Sequence, residues 1–390
     1  MNTFHNKDCV HVITSLGTGG AESVLYSLVI HNKMNKQAII SLKSPSFYSA
    51  KFEENGIYTL HLYFDKPCIK TIINLWKSFR LMLSSRLVLS YLYHADLFAS
   101  LIKIFPSSPP LIWNIHNALG PNDNVSPKTR KIIKALAHLS SLVPNAIIYV
   151  SNFARYNHEF VGYNNKNTYT VLNPIDTNRF CRIYPNKPIF LETIRDTTFE
   201  ESKKVKFGVI SRYHRVKRHR EILEAFKIVI QSQKEVHLVL AGNGCDEENA
   251  ELSASIDELE VRDHITLLGN IEKTELLYPY LDFTILFSSS ESFGNVIAES
   301  LACGIPVLVS NLPVFKEIFE DIPIYADDVN MLASQMLNSF NMVREDTGAY
   351  QQLARKGIDH VTEKLDVKKC YEVYSSLWDY FYKDINCVQK

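Results

Sequence analysis

Short runs of β-branched and aromatic residues alternate along the chain with longer stretches in which apolar residues return every three or four positions. In the first half the runs are CVHVITSL (9–16), QAIISL (37–42), GIYTLHL (56–62), LVLSYLY (87–93), PLIWNIH (110–116) and NAIIYVS (145–151). A second series opens with VKFGVIS (205–211) and continues through VHLVLAG, HITLLG, DFTILF and PVLVS. Apolar strands separated by helices predict parallel sheets covered on both faces. The pattern therefore implies an α/β protein of two doubly wound parallel-sheet domains. Residues 1–180 form the first, residues 205–369 the second, and 181–204 a linker rich in proline, asparagine and charge. The terminal stretch CYEVYSSLWDYFYKDI has helical period.

Composition narrows the class without naming a function. The chain has 390 residues, 46% hydrophobic and 22% charged, which is ordinary for a globular protein of two domains. Formal net charge is zero, so no nucleic-acid partner is expected. Seven scattered cysteines without a short paired spacing argue for a reducing compartment and against a zinc site. The start MNTFHNKDCVHVITSL lacks a basic head followed by an unbroken apolar core, so a cytoplasmic location is expected. The most apolar region, Leu81 to Phe105, is broken by Arg86, His94, Asp96 and Lys103 and is a poor membrane-spanning helix.

Candidate chemistry gathers where the strands of the second series end. The stretch SESFGNVIAESLACGIPVLVS (290–310) reads as strand end, tight turn, helix from Asn295, stop at Gly304 and next strand. The free amides of Phe293, Gly294 and Asn295 at that helix start would favour a phosphate. Glu291 lies in the turn and Glu299 about one helical turn in. Carboxylates beside an anion are better used on neutral hydroxyls, and each can accept a sugar's adjacent OH pair. The arrangement suggests a nucleotide sugar, with one acid on the ribose and the other on the transferred sugar. After VKFGVIS, Arg212 and Lys217 are placed to reach its diphosphate, unless RYHRVKRHR is merely a solvated basic loop. VHLVLAGNG ends in a glycine turn at Gly242 that permits close ligand approach, and Asn270 after HITLLG could frame a base.

RYHRVK, LAGNG, LLGNI and ESFGNVIAESLACGIPVLVS, in this order at strand ends, resemble the C-terminal domain of the GT-B retaining glycosyltransferases of family four, the glycosyl transferases group 1 of bacterial surface-polysaccharide type. Ser292 stands where that family usually has glycine. SLGTGGAES, HADLFASL, NIHN and VLNPID extend the resemblance over nearly the whole chain. It implies two Rossmann-like domains facing a cleft, with a C-terminal helix, 370–390, crossing back to the acceptor-binding first domain. It implies that Glu299 binds the ribose, Glu291 the donor sugar, and the amides from Phe293 through Gly294 and Asn295 to Val296 the phosphate and sugar. Arg212 and Lys217 would stabilise the departing diphosphate. Gly19 and Gly20 would end the first strand and admit the diphosphate, His116 would lie beside the reacting carbon, and Asn173 would face the cleft near the hinge.

The implied reaction is same-face transfer of a hexosyl group, with the leaving phosphate taking the acceptor proton. No Asp-x-Asp occurs, so no metal is expected. No cofactor is expected beyond the co-substrate, a UDP-sugar as the commoner family case. Between residues 66 and 140 ten Lys or Arg face Asp96 and Asp123, an excess of eight (ten minus two). A helical wheel on IKTIINLWKSFRLMLSS gathers Ile72, Leu75, Trp76, Phe79 and Met82 on one face opposite Lys70 and Lys77. That helix either packs on its own sheet or touches an anionic membrane. The second reading suits a polyprenyl-diphosphate-linked or other lipid-linked saccharide acceptor, handled at the cytoplasmic face of the inner membrane during O-antigen, capsule or lipopolysaccharide synthesis. A nucleotide-sugar phosphorylase or epimerase of the same fold, and a non-catalytic sugar-nucleotide binder, are the alternatives. A dinucleotide oxidoreductase is disfavoured, because GTGGAE places Glu22 where the fingerprint needs its last glycine.

Overall fold

The computed structural model describes residues 7–31, 36–120, 125–181 and 203–388. The chain divides into two compact units, Met1–Pro174 with Val367–Lys390, and Ile175–Asp366. The expected 181–204 linker falls almost wholly outside the described residues. The first crossing lies between Pro174 and Ile175 and the return between Asp366 and Val367, each ahead of the expected 180 and 370.

Unit 1 contains, among the described residues, a seven-stranded sheet in the order β3-β2-β1-β4-β5-β6-β7. Its strands are β1 (Cys9–Ile13), β2 (Gln37–Ser41), β3 (Tyr58–His61), β4 (Leu87–Tyr91), β5 (Leu111–Ile115), β6 (Ala146–Tyr149) and β7 (Thr168–Thr170), all paired parallel. Unit 2 contains β8 (Val205–Ile210), β9 (Val236–Ala241), β10 (Ile265–Gly269), β11 (Phe283–Leu286), β12 (Val307–Ser310) and β13 (Ile324–Ala326), again parallel, in the order β10-β9-β8-β11-β12-β13. Both are the expected doubly wound α/β pattern. The central strands are buried along their length because helices cover both faces. Sequence patterning missed β7 and β13. Each has three residues at a sheet edge, and of these only Ala326 is buried, so neither shows an apolar run.

The helix Val367–Val388 belongs to unit 1. Tyr374, Trp378 and Phe381 sit in one apolar cluster with Ile13, Leu25, Leu89 and Ile148, filling the groove between this helix, Gly20–His31 and the sheet. Asn114 on β5 donates to the Tyr374 hydroxyl at 3.3 Å, so the helix is registered by a buried polar contact as well as by packing. A second buried network crosses the sheet. Gln37 Nε2 donates to the Val29 carbonyl, which turns its Oε1 toward His11 Nε2 at 3.1 Å. Burial lowers the His11 pKa to about 4, so the ring is neutral. Its Nε2 must then donate to Gln37, and its Nδ1 accepts from the Tyr91 hydroxyl at 3.2 Å.

The helix Ile69–Leu83 departs from its wheel. Met82 is buried and Leu75 and Phe79 pack against the core, as a helix lying on its own sheet requires. Ile72 and Trp76, expected on that same face, are 74% and 60% exposed, and Ile69 is 81% exposed. The helix is apolar on two sides, and the wheel merged them.

Trp378→Ala removes the largest side chain of the returning helix from a fully buried position. Urea denaturation should show unit 1 destabilised by about 3–5 kcal/mol, with an unchanged denaturant slope.

Candidate functional site

In unit 2 the chain runs outward from β8 through β9 to β10, then returns to the other side of β8 with β11. The strand order therefore reverses at β8 and β11, and the carboxyl ends beside such a reversal are the general place for a ligand in a doubly wound sheet. Both key loops start there. After β8 come Ser211, the exposed Arg212, and a single 3-10 turn, Arg215–Lys217. After β11 come Ser288, Ser289 and Glu291. The loops are tied: the Ser289 amide donates to the Val216 carbonyl at 2.8 Å, and Lys217 Nζ donates to Glu291 Oε1 as a partly buried ion pair. Ser288 Oγ donates to the same carboxylate oxygen at 2.8 Å and is itself held by Ser310 Oγ, which donates to the Ser288 carbonyl. Glu291 is thus aimed by two donors, and Lys217 is held beside it.

Behind the β8 loop, Gly242 at the end of β9 has φ 143° and lies against the Ser211 carbonyl, where a Cβ would come within 2.2 Å. Only glycine lets the two turns approach so closely. His219 Nε2 contacts Ser211 Oγ at 3.3 Å, and burial, aided by the Lys217 charge, lowers its pKa to about 4. It braces the basic loop as a neutral ring. Asn270 follows β10 and is exposed.

The helix Asn295–Ala302 begins at Gly294, whose φ of 97° turns the chain into it. Gly294 is the cap, and Asn295 is the first helical residue. Phe293 points inward, 2% exposed and edge-on to Phe319, so that position can offer a ligand only its amide. Asn295 and Val296 are partly exposed. The other end closes as expected: Gly304 N donates to the Leu301 carbonyl and Ile305 N to Ser300, the paired bonds of a Schellman cap. Glu299, one turn in, accepts from the Tyr278 hydroxyl at 2.9 Å. Burial raises its pKa to about 7, opposed by the Tyr278 hydrogen bond and the Arg179 charge and reinforced by Glu275. Arg179 itself pairs with Glu275 at 2.8 Å.

The remaining expected residues belong to unit 1. β1 stops at Ile13, and Gly20 is already the first residue of the helix Gly20–His31, so the glycines open a helix and do not end the strand. A Cβ on Gly19 would fall 2.2 Å from Glu22 Oε2, which places that carboxylate in the first turn. His116 follows β5, is 8% exposed and stacks on Tyr91 with centroids 5.7 Å apart. Burial lowers its pKa to about 3, leaving it neutral. Asn173 is 4% exposed beside the crossing at Pro174. Tyr278, Arg179 and Glu275 escaped the sequence reading because their partners lie far along the chain, and Ser288, three residues before Glu291, because one serine in the run SSS carries no signal of its own. Among the described residues no three His, Cys, Asp or Glu side chains cluster to hold a metal.

Comparison with known proteins matches residues 191–323 to the family described as glycosyl transferases group 1. That segment spans β8 to β12 and both glutamates. The match takes in 133 of the chain's 390 residues. The N-acetyl-alpha-D-glucosaminyl L-malate synthase of Bacillus anthracis is 28% identical over 156 residues, 40% of this chain and 39% of that protein. The O-antigen biosynthesis glycosyltransferase WclY of Escherichia coli is 29% identical over 106 residues, 26% of this chain and 30% of its own. The matches thus span well under half the length of these curated relatives. Solved structures share the fold over almost the whole chain. HepE of Anabaena, solved with UDP and glucose, superposes with a TM-score of 0.82 at 18% identity, covering 96% of this chain and 99% of HepE. Sucrose-phosphate synthase of Thermosynechococcus elongatus gives 0.73 at 15% identity, covering 97% and 100%. The fold is GT-B, as the sequence motifs implied.

Gly294→Ala would place a Cβ 2.8 Å from Phe315 Cε1 at a backbone angle that side chains resist. Its thermal midpoint should fall by an amount equivalent to about 1–3 kcal/mol.

Proposed function

We propose that this protein is a retaining, metal-independent glycosyltransferase that moves a sugar from a UDP-sugar to a lipid-linked saccharide in bacterial surface-polysaccharide synthesis. The observation that carries the reading is the meeting of Lys217 and Glu291 at the β8/β11 reversal, beside the helix tip at Gly294, inside the matched domain. A diphosphate at that tip would find backbone donors in front and the Lys217 and Arg212 cations alongside. Binding would draw Lys217 partly from Glu291 and leave the acid to accept from sugar hydroxyls. Glu299, deeper on the same helix, would accept from the ribose.

As the bond from the anomeric carbon to the diphosphate oxygen breaks, negative charge grows on the leaving group. Fixed cations and amides favour that state over the ground state. The acceptor oxygen bonds to the same face of the carbon, and its proton passes to the departing diphosphate. The cations supply the charge a metal would otherwise bring, so no metal is needed at this step. The association of HepE with UDP and glucose supports the donor class, and the O-antigen role in the name of WclY supports the polysaccharide context.

The lipid-linked acceptor is supported by the outer face of Ile69–Leu83 in unit 1. Ile69, Ile72, Ile73 and Trp76 stand exposed beside exposed Lys66, Lys70 and Arg80, and the helix carries no acid. Arg80 caps the Trp76 ring at 4.7 Å. Apolar side chains ringed by basic ones match an anionic headgroup layer, at roughly 1 kcal/mol per nearby cation. The protein would then work peripherally on the cytoplasmic leaflet. Among the described residues no helix is long and apolar enough to cross a membrane.

A screen of nucleotide sugars without acceptor, reading the nucleoside diphosphate released, tests the enzyme reading; no release from any donor, with or without saccharide acceptors, would overturn it. With the active donor, Lys217→Ala should lower kcat by on the order of a hundredfold, whereas Glu299→Ala should chiefly raise donor KM. In flotation with phosphatidylglycerol vesicles at low salt, the wild type should rise with the lipid and Ile72→Glu/Trp76→Glu should stay below. A wild type that never floats removes the membrane from the proposal.

A further inference from the structure

Glu299 does not stand alone on its helix. Its carboxylate is held by Tyr278, which is fully buried in the 3-10 turn Tyr278–Tyr280, and the Tyr278 ring packs edge-on to Phe180 at 6.0 Å. Phe180 in turn lies under the guanidinium of Arg179, 4.9 Å away, and Arg179 is fixed by Glu275. Arg179 and Phe180 ride on the first segment of unit 2 after the crossing. That segment is fastened at its start, where Ile175 N donates to the Leu365 carbonyl and Thr177 Oγ1 bonds Asp366. It is fastened again where Asp176 Oδ1 accepts from the amides of Asn178 and Arg179 at 3.1 and 3.2 Å. Four residues from two separate stretches thus converge behind one carboxylate.

We propose that Tyr278 and Arg179, the latter fixed in place by Glu275, are positioning residues for Glu299, holding it oriented and ionised to accept two hydrogen bonds from a vicinal diol of the donor's nucleoside. This rests on the donor reading above and adds what makes the acid competent. A buried carboxyl with no such support is neutral and accepts weakly, whereas an ionised one makes hydrogen bonds about twice as strong. Burial, and to a lesser extent the Glu275 charge, drive Glu299 toward the neutral form, and Tyr278 and Arg179 are the two groups that oppose it. The helix Pro313–Phe319 meets the start of the Glu299 helix through Phe315 and Phe319, and its Lys316 and Glu317 are exposed. β11 and β12 carry no ionisable side chain. The helix Thr347–Lys364 meets it with Gly357 against Leu301, its Arg355, Lys356 and Asp359 are exposed, and its His360 Nε2 is engaged with the Ile318 carbonyl at 2.8 Å.

The test compares UDP with 2′-deoxy-UDP by titration calorimetry between pH 6 and 9, with GDP and 2′-deoxy-GDP in parallel. The ratio of the two dissociation constants cancels the diphosphate's own titration and isolates the hydroxyl that Glu299 would hold. With Glu299 titrating about pH 7, its ionised form dominates above that pH and is lost below. The preference for the ribonucleotide should therefore fall about fourfold from pH 8.5 to pH 6.5. Tyr278→Phe and Arg179→Met should move that fall to higher pH, a displacement of one unit lowering the preference at pH 7.5 by about threefold. The preference should return at pH 9, and Arg179→Lys should keep the wild-type profile. Variants that match wild type at every pH, or that lose the preference equally at all pH values, overturn the proposal while leaving the donor reading intact. A wild type that binds neither UDP nor GDP overturns both.

Discussion

The pairing of Lys217 with Glu291 is the contact on which the rest of the site depends. It joins loops that leave two neighbouring parallel strands, β8 and β11, and it exists only because the chain doubles back beside its first strand in unit 2. Two opposite charges at that place solve a folding problem and a chemical one together. Each keeps the other from being a lone, partly buried ion, and together they form a polar patch beside amides that already favour an anion. Ser288 and Ser310 then fix which way the acid points. The apolar strands beneath are interchangeable in kind, whereas these few polar positions are not.

Legibility in the sequence followed the range of the interactions. The helix Asn295–Ala302 was readable because its signals are consecutive: a turn, a cap region, helix formers and a glycine whose following amides close the C-terminus. Glu291, Glu299, Arg212 and Lys217 could be singled out because each sits near a strand end or a helix start, positions that periodicity can place. Tyr278 precedes Glu299 by 21 residues and Arg179 precedes Glu275 by 96, distances that only the fold collapses. Nothing local marks them. The split face of Ile69–Leu83 was hidden for another reason: a helix with apolar residues on more than one stripe has no single direction for a wheel to find.

Burial acts differently on the ionisable groups at the two sheets' ends. His116, His219 and His11 are all pushed toward neutrality by burial, so they contribute shape and directed hydrogen bonds without charge. The positive charge of the unit 2 loops is left to Arg212, Lys217 and their basic neighbours, whose side chains reach water. Glu299 lies between these regimes, buried enough to feel desolvation and supported enough to resist it.

The returning helix Val367–Val388 has a consequence for how the molecule is made. Unit 1 draws its core from both ends of the chain, and Trp378 and Tyr374 are translated only after every strand of unit 2. While the ribosome works through those strands, the nascent first unit has an uncovered apolar groove over Leu25 and Leu89 and an Asn114 without its phenolic neighbour. Unit 2, being continuous, can close on itself during synthesis, so the N-terminal half finishes last, a reversal of the usual vectorial order and a window in which chaperone capture competes with self-completion.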